Sequence, residues 1–255
     1  MPFRPVSPEK LSSAVVRQVE ELILRGILQP GARLPPERDL AERLGVSRPS
    51  LRNAIAQLQQ AGLLVSKAGA GVFVADVLGS AFSPALTSLF ARHEEAAMDY
   101  LSFRRDMEGL AAERAVRLGS DTDLAVIQTI FTKMQAAHDA RDAAAEADLD
   151  AQFHMSIIEA SHNVVMLHMM RSMFDLLRSG VFYNRQIMFR QQTNRADLLD
   201  QHRAIVSALT ARDAQAARTA VETHLNYVER ALLNQQRAER HEDVARQRLD
   251  HELNG

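Results

Sequence analysis

What most limits the fold of this chain is its punctuation. The last proline is Pro84, and glycine is almost absent between Gly119 and the terminal residue. Proline and glycine are the strongest breakers of regular structure. Residues from Ala96 onward are therefore expected to be almost entirely helical, interrupted at Gly119-Ser120-Asp121, Ser161-His162-Asn163 and Arg212-Asp213. No run there alternates as a strand hairpin does. The consequence is about six or seven helices packed as one all-α body.

The beginning of the chain is punctuated differently. Leu11 to Arg25 reads as a helix with Leu11, Val15, Val19, Leu22 and Ile23 on one face. Pro35-Pro36 allows a second helix to begin, and Gly45 ends it after Leu44. Ser47 offers an N-cap and Pro49 a first turn for a third helix, whose buried stripe is Leu51, Ile55 and Leu58. After Gly62 the period shortens, and Leu63–Lys67 and Val72–Val74 read as strands around Ala68-Gly69-Ala70-Gly71. Three helices and a hairpin, with a short turn between helices two and three, describe a winged helix-turn-helix. The fold class is mainly α: an N-terminal winged helix-turn-helix plus a C-terminal all-α helical bundle. The expected boundaries are a DNA-binding domain at 1–75, a linker at 76–94, the body at 95–236 and a charged tail at 237–255 that frays. Gly79, Ser80, Ser83 and Pro84 loosen the pattern of the linker.

Composition narrows the function. The chain has no cysteine, which excludes disulfides, thiolate nucleophiles and sulfur-ligated metals. No apolar run approaches the ~18 residues of a membrane span. Met1–Lys10 lacks the apolar core of a signal peptide. A cytoplasmic protein with no membrane partner is expected. The net charge of −2 conceals a split, because residues 1–75 carry 10 Lys+Arg against 6 Asp+Glu and the remainder is acidic. A basic head on an acidic body points to a polyanion as the partner of the head.

Within that head, Arg48 and Arg52 lie at i and i+4 near the start of helix three. Side chains there reach base edges in the major groove, and arginine suits bidentate contact with guanine. Ser47 and Ser50 can donate to phosphates or cap the helix. Arg33 is placed for a backbone contact, Lys67 for another, and Gly69 and Gly71 let the hairpin tip approach DNA closely. The alternative is that these side chains only solvate the surface.

In the body, Asp150 and His154 are i and i+4 on one helix, with His202 and His224 on later ones. One carboxylate and three imidazoles suit a first-row divalent ion with positions left open for a ligand. Spacing alone equally allows an ordinary helix pair and satisfied core histidines. Met166, Met169, Met170 and Met173 fall at core spacing.

At Pro30-Gly31-Ala32-Arg33-Leu34-Pro35-Pro36-Glu37-Arg38-Asp39-Leu40-Ala41 and Gly45-Val46-Ser47-Arg48-Pro49-Ser50-Leu51-Arg52 the chain resembles the GntR family of bacterial transcription regulators. Its body resembles the ligand-binding FCD domain of the FadR subfamily. Phe153-His154 and Glu159-Ala160-Ser161-His162-Asn163-Val164-Val165 look most like the members that sense lactate, glycolate or pyruvate. The resemblance implies a homodimeric repressor on a palindromic operator, with Arg38 helping to hold the DNA. It also implies that Asp150, His154, His202 and His224 hold a divalent metal ion, zinc first, with nickel or manganese as alternatives. Arg104 matches a position where related regulators place an arginine facing the cavity, and a guanidinium fits a carboxylate effector bidentately. A surface salt bridge is the other reading of Arg104, and Arg105 is the expected surface residue. Ala68 and Ala70 depart from the family's usual wing tip. Two other functions compete: a metal-dependent hydrolase or decarboxylase using the same cluster, and a purely architectural DNA-binding dimer. The first lacks a His-Glu-x-x-His run and a separate general base.

Overall fold

The computed structural model describes residues 11–76, 83–178 and 192–254. Met1–Lys10, the linker residues 77–82 with Gly79 and Ser80, and the terminal Gly255 lie outside the described residues. The chain divides into two compact units, Met1–Ala81 and Phe82–Gly255.

The first unit contains α1 (Leu11–Leu24), α2 (Glu37–Leu44), α3 (Arg48–Gln60), β1 (Leu64–Lys67) and β2 (Gly71–Val74). Ser12, Val15, Val19 and Ile23 are the buried stripe of α1. Leu11, expected on that stripe, is 57% exposed. The buried positions run i, i+3, i+7, i+11 from Ser12, which turns Leu11 away. Leu51, Ala54 and Leu58 of α3 pack with Val15 and Val19, and Leu34, Leu64 and Val74 close the core. Gly45 ends α2 with φ 64°. That left-handed conformation favours glycine and reverses the chain toward α3 within three residues.

The strands pair antiparallel, with Leu64 opposite Val74 and Lys67 opposite Gly71. Leu63 stays out of β1 because its N–H donates to the Leu58 carbonyl at 2.9 Å, closing the end of α3. On its other side β2 binds the segment before α2: Gly31 donates to the Val74 carbonyl and Leu34 to the Val72 carbonyl, at 3.0 and 2.9 Å. The wing is thus stitched to the chain that leads into α2.

The second unit contains α4 (Pro84–Arg92), α5 (Glu94–Leu118), α6 (Asp121–Asp139), α7 (Ala143–Ala160), α8 (Val164–Arg178), α9 (Gln192–Thr210) and α10 (Ala214–Asn254). α5 lies along α10, α6 along α7 and α9, and α7 also packs on α5 and α8. Helix α4 falls inside the stretch expected as linker. Its Ser83 hydroxyl accepts from the Leu86 N–H, and Pro84 takes the first turn. Residues that read as loop punctuation are here a helix start. Met169, expected in the core, is 51% exposed, because the buried face of α8 runs through Met166, Met170 and Phe174.

The charged segment 237–254 is the second departure, since α10 continues through it as one 41-residue helix. It contains no proline or glycine before Gly255. Same-face pairs support it, Arg246 with Glu242 at 3.1 Å and Gln235 with Glu239 at 3.0 Å. Among the described residues no helix is long and apolar enough to cross a membrane.

The α5–α6 corner rests on two residues far apart in sequence. Arg212 adopts a left-handed φ of 56° in the turn before α10. Its guanidinium donates to the carbonyls of Val116 and Gly119 at 3.1 and 2.6 Å and to Asp121 at 2.7 Å. Those are carbonyls that α5 leaves unsatisfied at its end. Gly119 itself has an ordinary φ of −66°. A Cβ there would lie 2.5 Å from the Ala115 carbonyl oxygen, which is backbone and cannot swing aside. Gly119→Ala is therefore expected to destabilise the body by about 1–3 kcal/mol, as a forced backbone shift does. Urea denaturation followed by circular dichroism measures it, and an unchanged midpoint would contradict the steric argument.

Candidate functional site

Two groups of side chains stand out, one in each unit. In the first, Ser47 is the N-cap of α3 and its Oγ accepts from the Ser50 N–H at 3.3 Å. The two hydroxyls also meet at 2.9 Å. Capping at this point starts α3 so that Arg48 and Arg52 emerge exposed on one face of its first turns. Arg52 Nε donates to Glu37 Oε2 at 2.8 Å, across from the start of α2. This exposed pair contributes little stability and links the first turns of α3 to the start of α2. Arg38 stands out from α2, its side chain 82% exposed beside Asp39.

The remaining expected contacts gather at the wing. Arg33 bridges to Phe73. Gly71, at φ 110°, leaves room for the Arg33 guanidinium, which a Cβ there would meet at 3.2 Å. Lys67 Nζ sits 4.7 Å above the Phe73 ring, and the tip turns through Gly69 at φ 70°. The sequence leaves Glu37 unnoticed, since a partner fifteen positions away carries no periodic signal.

The second group is buried in the helical body. Asp150 and His154 on α7, His202 on α9 and His224 on α10 bring ligand atoms within 4.8 Å of one another. Asp150 Oδ1 is 3.1 Å from His202 Nε2 and 3.6 Å from His154 Nε2. The two Nε2 atoms are 3.4 Å apart. A tetrahedral ion with bonds of about 2.0–2.1 Å holds its ligand atoms roughly 3.3 Å apart, so the spacing suits one.

The far side of one ring is hydrogen-bonded, that of a second lies against a carboxylate, and His202 Nδ1 has no hydrogen-bond partner among the described residues. His154 Nδ1 lies 2.6 Å from Glu108 Oε2, and His224 Nδ1 lies 3.0 Å from Gln201 Oε1. Metal-binding histidines commonly give their second ring N–H to such acceptors, which leaves Nε2 to coordinate. Burial pushes the His202 imidazole down and the His224 imidazole well down, so both prefer the neutral form that ligation needs. Burial acts on His154 in the same direction, but the Glu108 and Asp150 carboxylates outweigh it and raise that ring. Phe153 stands edge-on to His202 with ring centres 5.0 Å apart, walling the cluster.

Arg104, on α5, is 1% exposed and is no surface salt bridge. Its Nε donates to Glu108 Oε1 at 2.5 Å, and its guanidinium lies 4.8 Å over the Phe174 ring. Burial raises the Glu108 carboxyl, but Arg104 and His154 more than reverse this and bring it to about 2. Arg105 is half-buried instead, joining α5 to α10 through Asn226 at 2.8 Å and Glu229 at 3.2 Å. The turn at His162-Asn163 serves structure: His162 Nε2 meets Asp123 at 3.1 Å, and Asn163 Oδ1 accepts from the Met166 N–H. Glu108 escapes the sequence reading, although its i+4 spacing from Arg104 is a signal. Gln201 gives none.

Comparison with known proteins fits this geometry. Residues 11–74 match the bacterial regulatory proteins of the gntR family, and residues 99–227 match the FCD domain. The chain is 37% identical over 227 residues to the putative L-lactate dehydrogenase operon regulatory protein of Escherichia coli K12, covering 88% of this chain and 86% of that one. It is 31% identical over 225 residues to the Glc operon transcriptional activator of the same strain, covering 87% and 89%. A solved GntR structure from Streptococcus agalactiae shares the fold with a TM-score of 0.52 at 23% identity, covering 86% of this chain and 99% of that one. A winged helix-turn-helix followed by an FCD body is the build of a transcription regulator. The chain belongs to the GntR family, in its FadR-type branch, whose regulators bind operator DNA and act as dimers; it is a transcription regulator and not an enzyme. The hydrolase or decarboxylase reading of the His/Asp cluster is thereby set aside.

Elemental analysis after zinc loading and gel filtration is expected to find the ion retained by the wild type and largely lost from His202→Ala. Equal content in the two proteins would remove His202 from the site.

Proposed function

We propose that this regulator is a repressor whose operator affinity is lowered by a small 2-hydroxy or 2-oxo monocarboxylate, lactate first and glycolate or pyruvate next. The observation that carries the reading is a buried arginine beside a buried carboxylate–imidazole cluster of metal-binding spacing. The names of two relatives, which concern lactate dehydrogenase and Glc operons, support the choice of acid.

In this reading Asp150, His154, His202 and His224 hold a divalent ion, with zinc the first candidate and nickel or manganese possible. The ion supplies a Lewis-acidic point that adjacent oxygens of such an acid can chelate. Arg104 neutralises the carboxylate, whose burial would otherwise be costly. A fatty acid lacks the second oxygen and is disfavoured. Ligand binding shifts operator affinity only through a difference in affinity between two states of the protein.

In the head, Arg48 and Arg52 read base edges of a palindromic operator engaged by a homodimer. Arg33, Arg38, Lys67, Ser50 and the Gly69 tip contact the backbone, and Ser47 adds its hydroxyl where capping allows. Arg52→Ala should cost about 1–3 kcal/mol of discrimination between operator and scrambled DNA, whereas Arg33→Ala should weaken both more evenly. Titration of both DNAs at one salt concentration measures it; equal losses for Arg52→Ala would remove its base-reading role.

The effector is tested by operator titration with and without each acid. Wild type should bind more weakly with at least one of them, and Arg104→Lys should lose that response. Lysine keeps a positive charge beside Glu108 but not the planar fork. If no acid changes wild-type affinity, the body is an architectural dimerisation unit; if Arg104→Lys responds normally, the carboxylate clamp lies elsewhere.

A further inference from the structure

We infer that Glu108 is a positioning residue joining the two halves of the effector site: one of its oxygens holds the Arg104 guanidinium, and the other holds His154 in the tautomer that turns Nε2 toward the cluster. The inference rests on the reading of the cluster as a metal site. It adds a coupling between the metal and the carboxylate clamp that neither half requires alone.

The geometry is specific. Glu108 is buried on α5, one turn after Arg104, with its side chain 2% exposed. Oε1 lies 2.5 Å from Arg104 Nε and Oε2 lies 2.6 Å from His154 Nδ1. The first is a charge-assisted hydrogen bond; the second is a close ion-pair contact rather than an aligned hydrogen bond, since neither Glu108 Oε2 nor His154 Nδ1 has a hydrogen-bond partner among the described residues. Both partners are donors at these atoms, since an arginine Nε carries hydrogen and an ionised carboxylate only accepts. His154 must then carry its hydrogen on Nδ1, leaving the Nε2 lone pair toward Asp150 Oδ1 and His202 Nε2, 3.6 and 3.4 Å away. Its neighbour on the other side is equally constrained. The Arg104 side chain is held at Nε by Glu108, which fixes the plane of its guanidinium. A carboxylate satisfies both donors at once, and a carboxamide has one acceptor oxygen for the two of them.

That asymmetry gives the test. Glu108→Gln keeps the shape of the side chain but can serve only Arg104 or His154. Glu108→Asp keeps two acceptors on a shorter stem. Zn2+ affinity is measured on full-length protein by competition with a chromophoric chelator, with His202→Ala as the variant that lacks a ligand. Glu108→Gln should bind Zn2+ about 10–100-fold more weakly, as loss of an outer partner of a metal histidine does, and Glu108→Asp should recover part of that loss. Nitrogen-15 spectra of the histidines in the metal-free proteins, taken at a pH where the His154 ring is neutral, should show its hydrogen on Nδ1 in wild type and a mixture of tautomers in Glu108→Gln. A merely structural role would not move that signal, and circular dichroism confirms that each variant is folded. Joining is read from a double-mutant cycle of Arg104→Gln and Glu108→Gln, whose effects on Zn2+ affinity should not multiply.

Wild-type affinity in Glu108→Gln, with Zn2+ lost from His202→Ala, overturns the role of Glu108 and leaves the metal site standing. Simple multiplication in the cycle overturns the joining. If His202→Ala binds Zn2+ as wild type does, the reading of the cluster itself fails and the inference falls with it.

Discussion

The organisation of the helical body depends on placing ionisable groups where water does not reach. Burying a carboxylate or a guanidinium costs several kcal/mol unless a partner compensates it; here Arg104 and Glu108 pair one turn apart on α5, and Asp150 lies against His202 of α9. Arg104 and Glu108 come from α5, Asp150 and His154 from α7, His202 from α9 and His224 from α10. A slip of any one helix along its axis would separate a buried polar group from its partner. The apolar core tolerates small shifts better than this cluster does, because dispersion contacts can be remade and a directional bond to a buried charge cannot. The same charged groups that make the site therefore also fix the register of four helices.

The winged unit meets the opposite requirement. Its charged side chains have to remain in water until DNA replaces it, so stability must come from elsewhere. The apolar contacts of α1 and α3 provide it, along with backbone bonds that tie β2 to the segment before α2. Local chemistry then sets direction: Gly45 reverses the chain, Ser47 starts α3 and Glu37 pairs with Arg52. None of these adds much free energy. Together they decide where α3 presents its cations, and in sequence reading direction matters more than strength.

Local signals explain how far the amino-acid sequence can be read. The caps and breakers around α2 and α3 lie within a few residues of what they control, so the winged fold is legible from the residues alone. The four metal-type residues are legible as a set because few side chains suit that chemistry, yet their meeting depends on α7, α9 and α10 converging, which no spacing encodes. Glu108 and Gln201 are missed because an outer partner is defined by the ring it faces in space. Ser83 and Pro84 mislead in the other direction: the same residues open loops and cap helices, and only the apolar positions that follow decide between the two. The tail misleads because a high density of charge reads as fraying, whereas opposite charges four apart hold a helix in water.

Under the proposed function the protein turns the presence of a small molecule into a difference between states, and the buried cluster is suited to that by its wiring rather than its size. A ligand bonded to Arg104 and to the imidazole group touches α5, α7, α9 and α10 together, so its binding energy depends on how those helices stand. If two arrangements of the helices differ in these distances and directions, the polar contacts at Glu108 and Asp150 cannot be equally good in both. Hydrogen bonds weaken steeply as their angle falls toward about 120°, and in a dry site no water replaces what is lost. In the proposed function, displacement along a helix of this body would be converted into ligand affinity, and by reciprocity ligand affinity into displacement. An apolar pocket of the same volume would bind through contacts that re-form after a small shift, and would distinguish the two arrangements far less.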